Sequence, residues 1–171
     1  DVCVRYLRED PWERSRLLKQ AMPDVQSMML IRGQNLVAYS NFADDLVVKF
    51  VAAAARNGID IFRIFDALDD VRNHKTVIEA VKQVGKTAEG AVCDTISPVH
   101  TIDKFISKAK QLEDKGVDQI AIKDMAGLID PHTTYELVSG LKKAVGVPIH
   151  LHTHDNCGMS MMSALKAVEA G

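Results

Sequence analysis

Residues 44–66 read DDLVVKFVAAAARNGIDIFRIFD, and this stretch sets out the plan of the chain. Residues 44–56 place apolar side chains at helical spacing, as an amphipathic helix does. Asn57-Gly58 closes that helix, because glycine accepts the left-handed conformation that follows a last turn. Residues 59–65 follow at once as an apolar strand, and Asp66 stands at its end.

The same unit recurs downstream. Residues 71–84 read as a helix closed by Gly85, with a strand at 88–94. Residues 101–115 are closed by Gly116, with a strand at 119–123. Asp130-Pro131 caps a helix that ends at Gly146, a strand follows at 149–154, and a last helix at 159–170 stops before Gly171. All four closing glycines are expected in the left-handed conformation. Upstream, Asp10-Pro11-Trp12-Glu13 has the order of a helix start, with an N-cap, a first-position proline and a glutamate at the third position. That helix should reach Ala21, and residues 28–32 form a short strand before the loop Gly33-Gln34-Asn35.

Strand–helix units of roughly 30 residues imply right-handed crossovers and a parallel sheet. A doubly wound sheet and a barrel both satisfy this. No GxGxxG or Walker A loop follows any strand, which weakens the nucleotide-binding version. Arg32, Asp66, Asp94, Lys123 and His154 all sit at or near strand C-termini, the rim from which barrel enzymes draw catalytic groups. The expected fold is therefore α/β, of the (β/α)8 TIM-barrel type. Eight such units need roughly 250 residues, so this chain should hold only five to six of them. An open arc leaves two strand edges unpaired, and residues 1–171 are read as part of a larger barrel domain. The first residue is Asp1 and not methionine, in keeping with a processed chain or a fragment.

Composition narrows the class. The 171 residues are 47% hydrophobic and 26% charged, with net charge -2, as in an ordinary globular protein. No basic stripe argues for nucleic acid or an anionic membrane. No apolar run approaches the roughly 20 residues that span a bilayer, and no signal peptide is visible. Three cysteines far apart, Cys3, Cys93 and Cys157, suggest reduced thiols and a cytoplasmic protein.

Two stretches carry chemistry. In Ile149-His150-Leu151-His152-Thr153-His154-Asp155 the alternation puts three imidazoles on one strand face. Such a face is costly unless the histidines bind something, and imidazole is a common metal ligand. Hydrogen-bonded core histidines are the plainer alternative. In Ile120-Ala121-Ile122-Lys123-Asp124-Met125-Ala126-Gly127-Leu128, Lys123 enters the interior at a strand end. Desolvation disfavours its ammonium form. The neutral amine can add carbon dioxide to give a metal-binding carbamate or can form a Schiff base. An ion pair with Asp124 or Asp94 is the plainer reading. His152 and His154, on the next strand, converge on the space that Lys123 enters.

Together with Asp10-Pro11-Trp12-Glu13-Arg14, Leu30-Ile31-Arg32-Gly33-Gln34-Asn35 and Phe62-Arg63-Ile64-Phe65-Asp66, these stretches run in order along nearly the whole chain. The set resembles the HMGL-like carboxyltransferase domain of pyruvate carboxylase, the oxaloacetate decarboxylase α subunit and transcarboxylase. The resemblance implies a (β/α)8 barrel that interconverts pyruvate and oxaloacetate through an enolate, using biotin carried on a separate domain or subunit. It implies that Lys123 is carboxylated and binds a divalent metal (zinc, cobalt or manganese) with His152 and His154. His150 is then an inner neighbour without a metal bond. It also implies that Arg32 binds pyruvate or oxaloacetate, and that Asp1 and Tyr39 lie near the substrate and the biotin ring. The partners implied are a biotinylated carrier, the rest of the barrel and further copies of the chain.

The chain departs from the family pattern in several places. The Arg-Asp-Ala-His-Gln-like motif that supplies the fourth metal ligand is absent, as is the last-strand threonine that shuttles a proton. No biotin carboxylase domain or Met-Lys-Met segment occurs, and Asn156-Cys157 stands where Thr-Ser is commoner. Hydroxymethylglutaryl-CoA lyase and isopropylmalate synthase share the His-x-His strand, but they carry Asp-Thr-x-Gly where this chain has Lys123-Asp124-Met125-Ala126-Gly127. A chain without activity in isolation is the remaining alternative.

Overall fold

Asp10 accepts a hydrogen bond from the Trp12 amide at 2.9 Å, and Pro11 takes the first position of α1 (Pro11–Ala21). The structure is a computed structural model that describes residues 2–171; Asp1, expected beside the substrate, lies outside the described residues. From α1 the chain enters β1 (Met28–Ile31) and then alternates: α2 (Asp44–Arg56), β2 (Ile61–Ile64), α3 (Lys75–Gln83), β3 (Thr87–Cys93), α4 (Ile102–Asp114), β4 (Gln119–Asp124), α5 (Pro131–Ala144), β5 (Ile149–Thr153) and α6 (Ser160–Glu169).

The five strands pair in sequence order, β1-β2-β3-β4-β5, and every pair is parallel. A doubly wound sheet would reverse its order at a switch point. Unbroken order is the arc of a barrel, and it carries five of the eight βα units the fold needs.

Alternation along the strands builds two different faces. Phe62, Ile64, Ile120 and Ile122 are fully buried beneath Val77, Val81, Phe105, Leu112, Leu137 and Leu141 of the helices. A side chain as large as Phe62 contributes roughly 1.5–3 kcal/mol when buried this way. The residues between them face the concave side, where Phe65, Ala91, Cys93 and Ala121 form a second, smaller apolar cluster.

Three of the four closing glycines, Gly58, Gly85 and Gly116, have φ values of 101°, 67° and 88°. Gly146 does not belong with them. α5 ends at Ala144, Val145 is extended, and the Gly146 amide donates to Glu113 Oε1 at 2.7 Å. The expected helix over residues 71–84 also divides. Asp70 accepts from the Arg72 amide and tightens Val71–His74 into a 3-10 turn before α3 begins. No helix among the described residues is long and apolar enough to cross a membrane.

The end of the arc opposite the strand C-termini is held by Asp60. Its carboxylate accepts from Lys19 of α1 at 2.8 Å, Lys86 at 3.0 Å and the Ser27 amide at 3.0 Å. Burial raises its pKa, but the bonds from Lys19, Ser27 and Lys86 outweigh burial and hold it at about 2. A depressed carboxylate contributes stability above its unfolded value near 4 and loses it as pH falls towards 2. Asp60→Asn should therefore cost roughly 1–2 kcal/mol at pH 7, a figure reduced because both lysines stay partly solvated. It should also flatten the acid limb between pH 4 and 2 in denaturant titrations. An unchanged acid limb would count against this role for Asp60.

Candidate active site

In β4, Ile120 and Ile122 face the helices, so Lys123 faces the concave side. It is 4% exposed, and its Cα partners are Cys93 on β3 and His152 on β5. Its Nζ lies 5.2 Å from the centre of the Phe65 ring. Burial pushes the amine below its ordinary pKa, against an opposing pull from Cys93, and the nearby charge of Arg63 adds a smaller downward push.

The plainer expectation, an ion pair from Lys123 to Asp124 or Asp94, is not met among the described residues. Asp124 is engaged elsewhere, accepting from the Leu128 amide at 2.9 Å and the Ile129 amide at 3.2 Å in the loop after β4, and from Thr153 Oγ1 of β5 at 2.8 Å. Neighbouring residues of one strand thus divide the work. Asp124 shapes the loop after β4, and Lys123 is left facing inward with its amine held below its ordinary pKa by burial.

On β5, His152 is half-buried and His154 exposed. Their ring centres are 5.0 Å apart and nearly edge-on, at 78°. Burial lowers the pKa of His152, helped by the positive charges of Arg63 and Lys123. The ring is therefore neutral near pH 7 with a lone pair to offer. Among the described residues no three His, Cys, Asp or Glu side chains gather as a metal-binding group.

Arg32 and Tyr39 arrive from the loop after β1. The Arg32 guanidinium lies 4.9 Å above the Tyr39 ring, and its Nη1 reaches the Ala38 carbonyl at 3.4 Å. With Phe65, Asp66 and Asn73 they line a cavity of about 720 Å³, a size that suits a small-molecule site. Phe65 therefore touches both parts of the rim, as a wall of this cavity and as the ring beside Lys123. Asn73 welds the loops together. Its Oδ1 accepts from the Gln34 amide at 3.0 Å, and its Nδ2 donates to Asp66 at 2.8 Å. The approach is so close that a Cβ on Gly33 (φ 47°) would sit 2.6 Å from the Asn73 carbonyl oxygen.

With this rim in view, comparison with known proteins is direct. The family model HMGL-like matches residues 23–171. The chain belongs to the HMGL-like family. Among curated relatives it is 56% identical to a pyruvate carboxylase subunit of Methanocaldococcus jannaschii, over all of this chain and 30% of the relative. It is 46% identical to the methylmalonyl-CoA carboxyltransferase 5S subunit of Propionibacterium freudenreichii subsp. shermanii, over all of this chain and 34% of the relative. A solved carboxyl transferase domain of Rhizobium etli pyruvate carboxylase, with pyruvate and biocytin, superposes with TM-score 0.98 at 42% identity. That match covers 100% of this chain and 30% of the other. The chain spans about a third of the length of the curated relatives it matches.

The HMGL-like chain holds groups that the sequence reading passed over. Arg63 and Glu89 form a buried ion pair on the concave face, joined by Gln119 and His150. Two signals were available. The alternation from Ile61 to Phe65 puts Arg63 on the same face as Phe65, and Glu89 interrupts an otherwise apolar strand. Asp94, already marked as a strand-end charge, is 8% exposed. Burial first, then repulsion from Asp124 and Asp130, raise its carboxyl to about 6.

Two outcomes follow from these placements. Gly33→Ala strains a positive φ and drives Asn73 aside, so thermal unfolding should show a loss of about 1–3 kcal/mol. A carboxyl whose folded pKa is raised destabilises most when ionised. Asp94→Asn should therefore stabilise by roughly 2 kcal/mol at pH 8 and do little at pH 4. Equal effects at both pH values would refute that account of Asp94.

Proposed function

We propose that this chain forms the catalytic rim of a biotin-dependent carboxyltransferase that moves a carboxyl group between a carboxybiotin carrier and pyruvate, or back from oxaloacetate. The observation that carries the reading is the pairing of Lys123 with His152 on adjacent strands, with no carboxylate neutralising the lysine among the described residues. A buried lysine whose pKa is lowered by burial gives up its proton more readily, and the free amine is suited to react with carbon dioxide. Its nitrogen attacks the carbon, a proton leaves, and the carbamate gains the anionic oxygens that an ammonium lacks. The donor set then fits a divalent ion: two imidazoles 5.0 Å apart and one carbamate, with a further ligand from elsewhere in the protein. Zinc, cobalt or manganese suits such a set, and when bound it would supply Lewis acidity towards the keto oxygen of the substrate.

The other roles belong to the chain's own side chains. Arg32 is a permanent cation in a cavity of substrate size, placed to pair with the carboxylate of pyruvate or oxaloacetate. Its charge also offsets the enolate that forms when pyruvate loses a methyl proton or oxaloacetate loses its carboxyl group. Tyr39, stacked on Arg32 and 83% exposed, stands at the mouth where a biotin ring would enter. Phe65 excludes water between the cavity and Lys123. The pyruvate and biocytin of the Rhizobium etli domain support this choice of ligands. On this reading the biotin carrier and the rest of the barrel lie outside residues 1–171, and the protein works in the cytoplasm as an assembly of several copies.

The test uses the full-length protein, with metal content and oxaloacetate decarboxylation as readouts. Lys123→Ala and His152→Ala should each lose bound metal and lower turnover by about 10²-fold or more. Arg32→Ala should raise KM for oxaloacetate while leaving metal content unchanged. Wild-type activity and metal content in Lys123→Ala would overturn the lysine assignment.

A further inference from the structure

Below Lys123 the concave face carries a second polar layer, built from one residue on each of four strands. Arg63 of β2 pairs with Glu89 of β3, their side chains 7% and 0% exposed. Gln119 of β4 donates to Glu89 Oε2 at 2.7 Å. His150 of β5 places Nδ1 3.1 Å from the same oxygen and 2.8 Å from Arg63 Nη2. Ala91 and Ala121 lie two residues further along β3 and β4, and His150 is the Cα partner of Ala121, one inward step below Lys123 and His152.

Both contacts of His150 skip intervening strands, and the one to Arg63 spans furthest. β2 and β5 do not pair, since β3 and β4 lie between them. A side-chain bond across two intervening strands is a chord of the arc, and its length fixes how sharply the arc curves. Backbone pairing leaves that curvature loosely specified, because strand-to-strand twist varies by tens of degrees. Curvature decides how closely the inward faces of β4 and β5 converge, and therefore how Lys123 meets His152 and His154.

We infer that Arg63, Glu89 and Gln119 form a positioning network that ties His150 across the arc and so sets the approach of the histidine strand to Lys123. The network touches no reacting atom. Arg63 is always a donor and the Glu89 carboxylate always an acceptor, and Nδ1 of His150 lies within reach of both. Glu89 neutralises Arg63 in a place where an uncompensated charge is costly. The inference rests on the proposed metal-binding role of His152 and His154.

The test again uses the full-length protein. Replacing a buried ion pair with apolar residues of similar volume is often neutral for stability. The double variant Arg63→Met/Glu89→Leu should therefore keep its thermal midpoint within a few degrees while cutting the chord. His150→Phe cuts it from the other end at a site 47% exposed, where folding is tolerant. Both should weaken metal affinity, measured by chelator competition, by about 10-fold. Both should also lower kcat for oxaloacetate decarboxylation with KM unchanged. Wild-type affinity and kcat in the two variants would overturn the inference, and if the double variant does not fold, His150→Phe decides alone. His152→Ala separates this from the parent reading. If His152→Ala loses metal while the chord variants keep it, only the positioning role falls. If His152→Ala keeps metal, the metal site itself is wrong.

Discussion

Parallel pairing in strict sequence order governs everything else in this chain. It points five strands the same way, so their C-termini share one rim, and it fixes which inward residues stand side by side. Cys93, Lys123 and His152 are neighbours because each is the Cα partner of the next. Shifting any strand by one residue would turn its inward set out towards the helices. Ile120 and Ile122 would then meet the concave face, and Lys123 would be driven into a packed apolar layer. The fully buried outward face, Phe62, Ile64, Ile120 and Ile122, makes that slip expensive. Hydrophobic packing on one side of the sheet thus enforces the chemistry on the other.

The concave face sorts its charges by depth. Arg63 and Glu89 neutralise each other, and Lys123 above them has no acidic partner among the described residues. Burial then holds the lysine amine and the His152 ring below their ordinary pKa values. Asp124, beside Lys123 in sequence, is engaged instead by two amides of the loop after β4 and by Thr153 at the end of β5. That Lys123 stands without an acidic partner among the described residues is as much a matter of where Asp124 is engaged as of its own burial.

Much of the fold was legible because each unit repeats the same local grammar: an amphipathic helix, a closing glycine and an apolar strand. α2 falls where its periodicity put it, and Gly58, Gly85 and Gly116 adopt the expected left-handed φ. Gly146 misled because a glycine after a helix is only permitted, not obliged, to turn left-handed. There, a bond to Glu113 replaces the turn. Barrel and doubly wound sheet could not be separated by unit length, since both repeat at the same period; strand order separates them. At the site, alternation sufficed to put His152 on the same strand face as His154, and strand-end position sufficed for Lys123. The ties between strands were not readable. Arg63 meets His150 across 87 residues of sequence, and nothing local to either announces the other.

The rim draws its side chains from two kinds of backbone, and the two have unequal freedom to diverge. Lys123 and His152 stand on strand bodies, where a change of position would unsettle the whole register. Arg32 and Tyr39 stand on a loop that is anchored to the rest mainly through Asn73 and the close approach at Gly33. Substitutions between those anchors can reshape the cavity without disturbing the strands beneath it. A lineage built on this plan can therefore remodel its cavity by rewriting a short loop, while inheriting the placement of Lys123 and His152 unaltered.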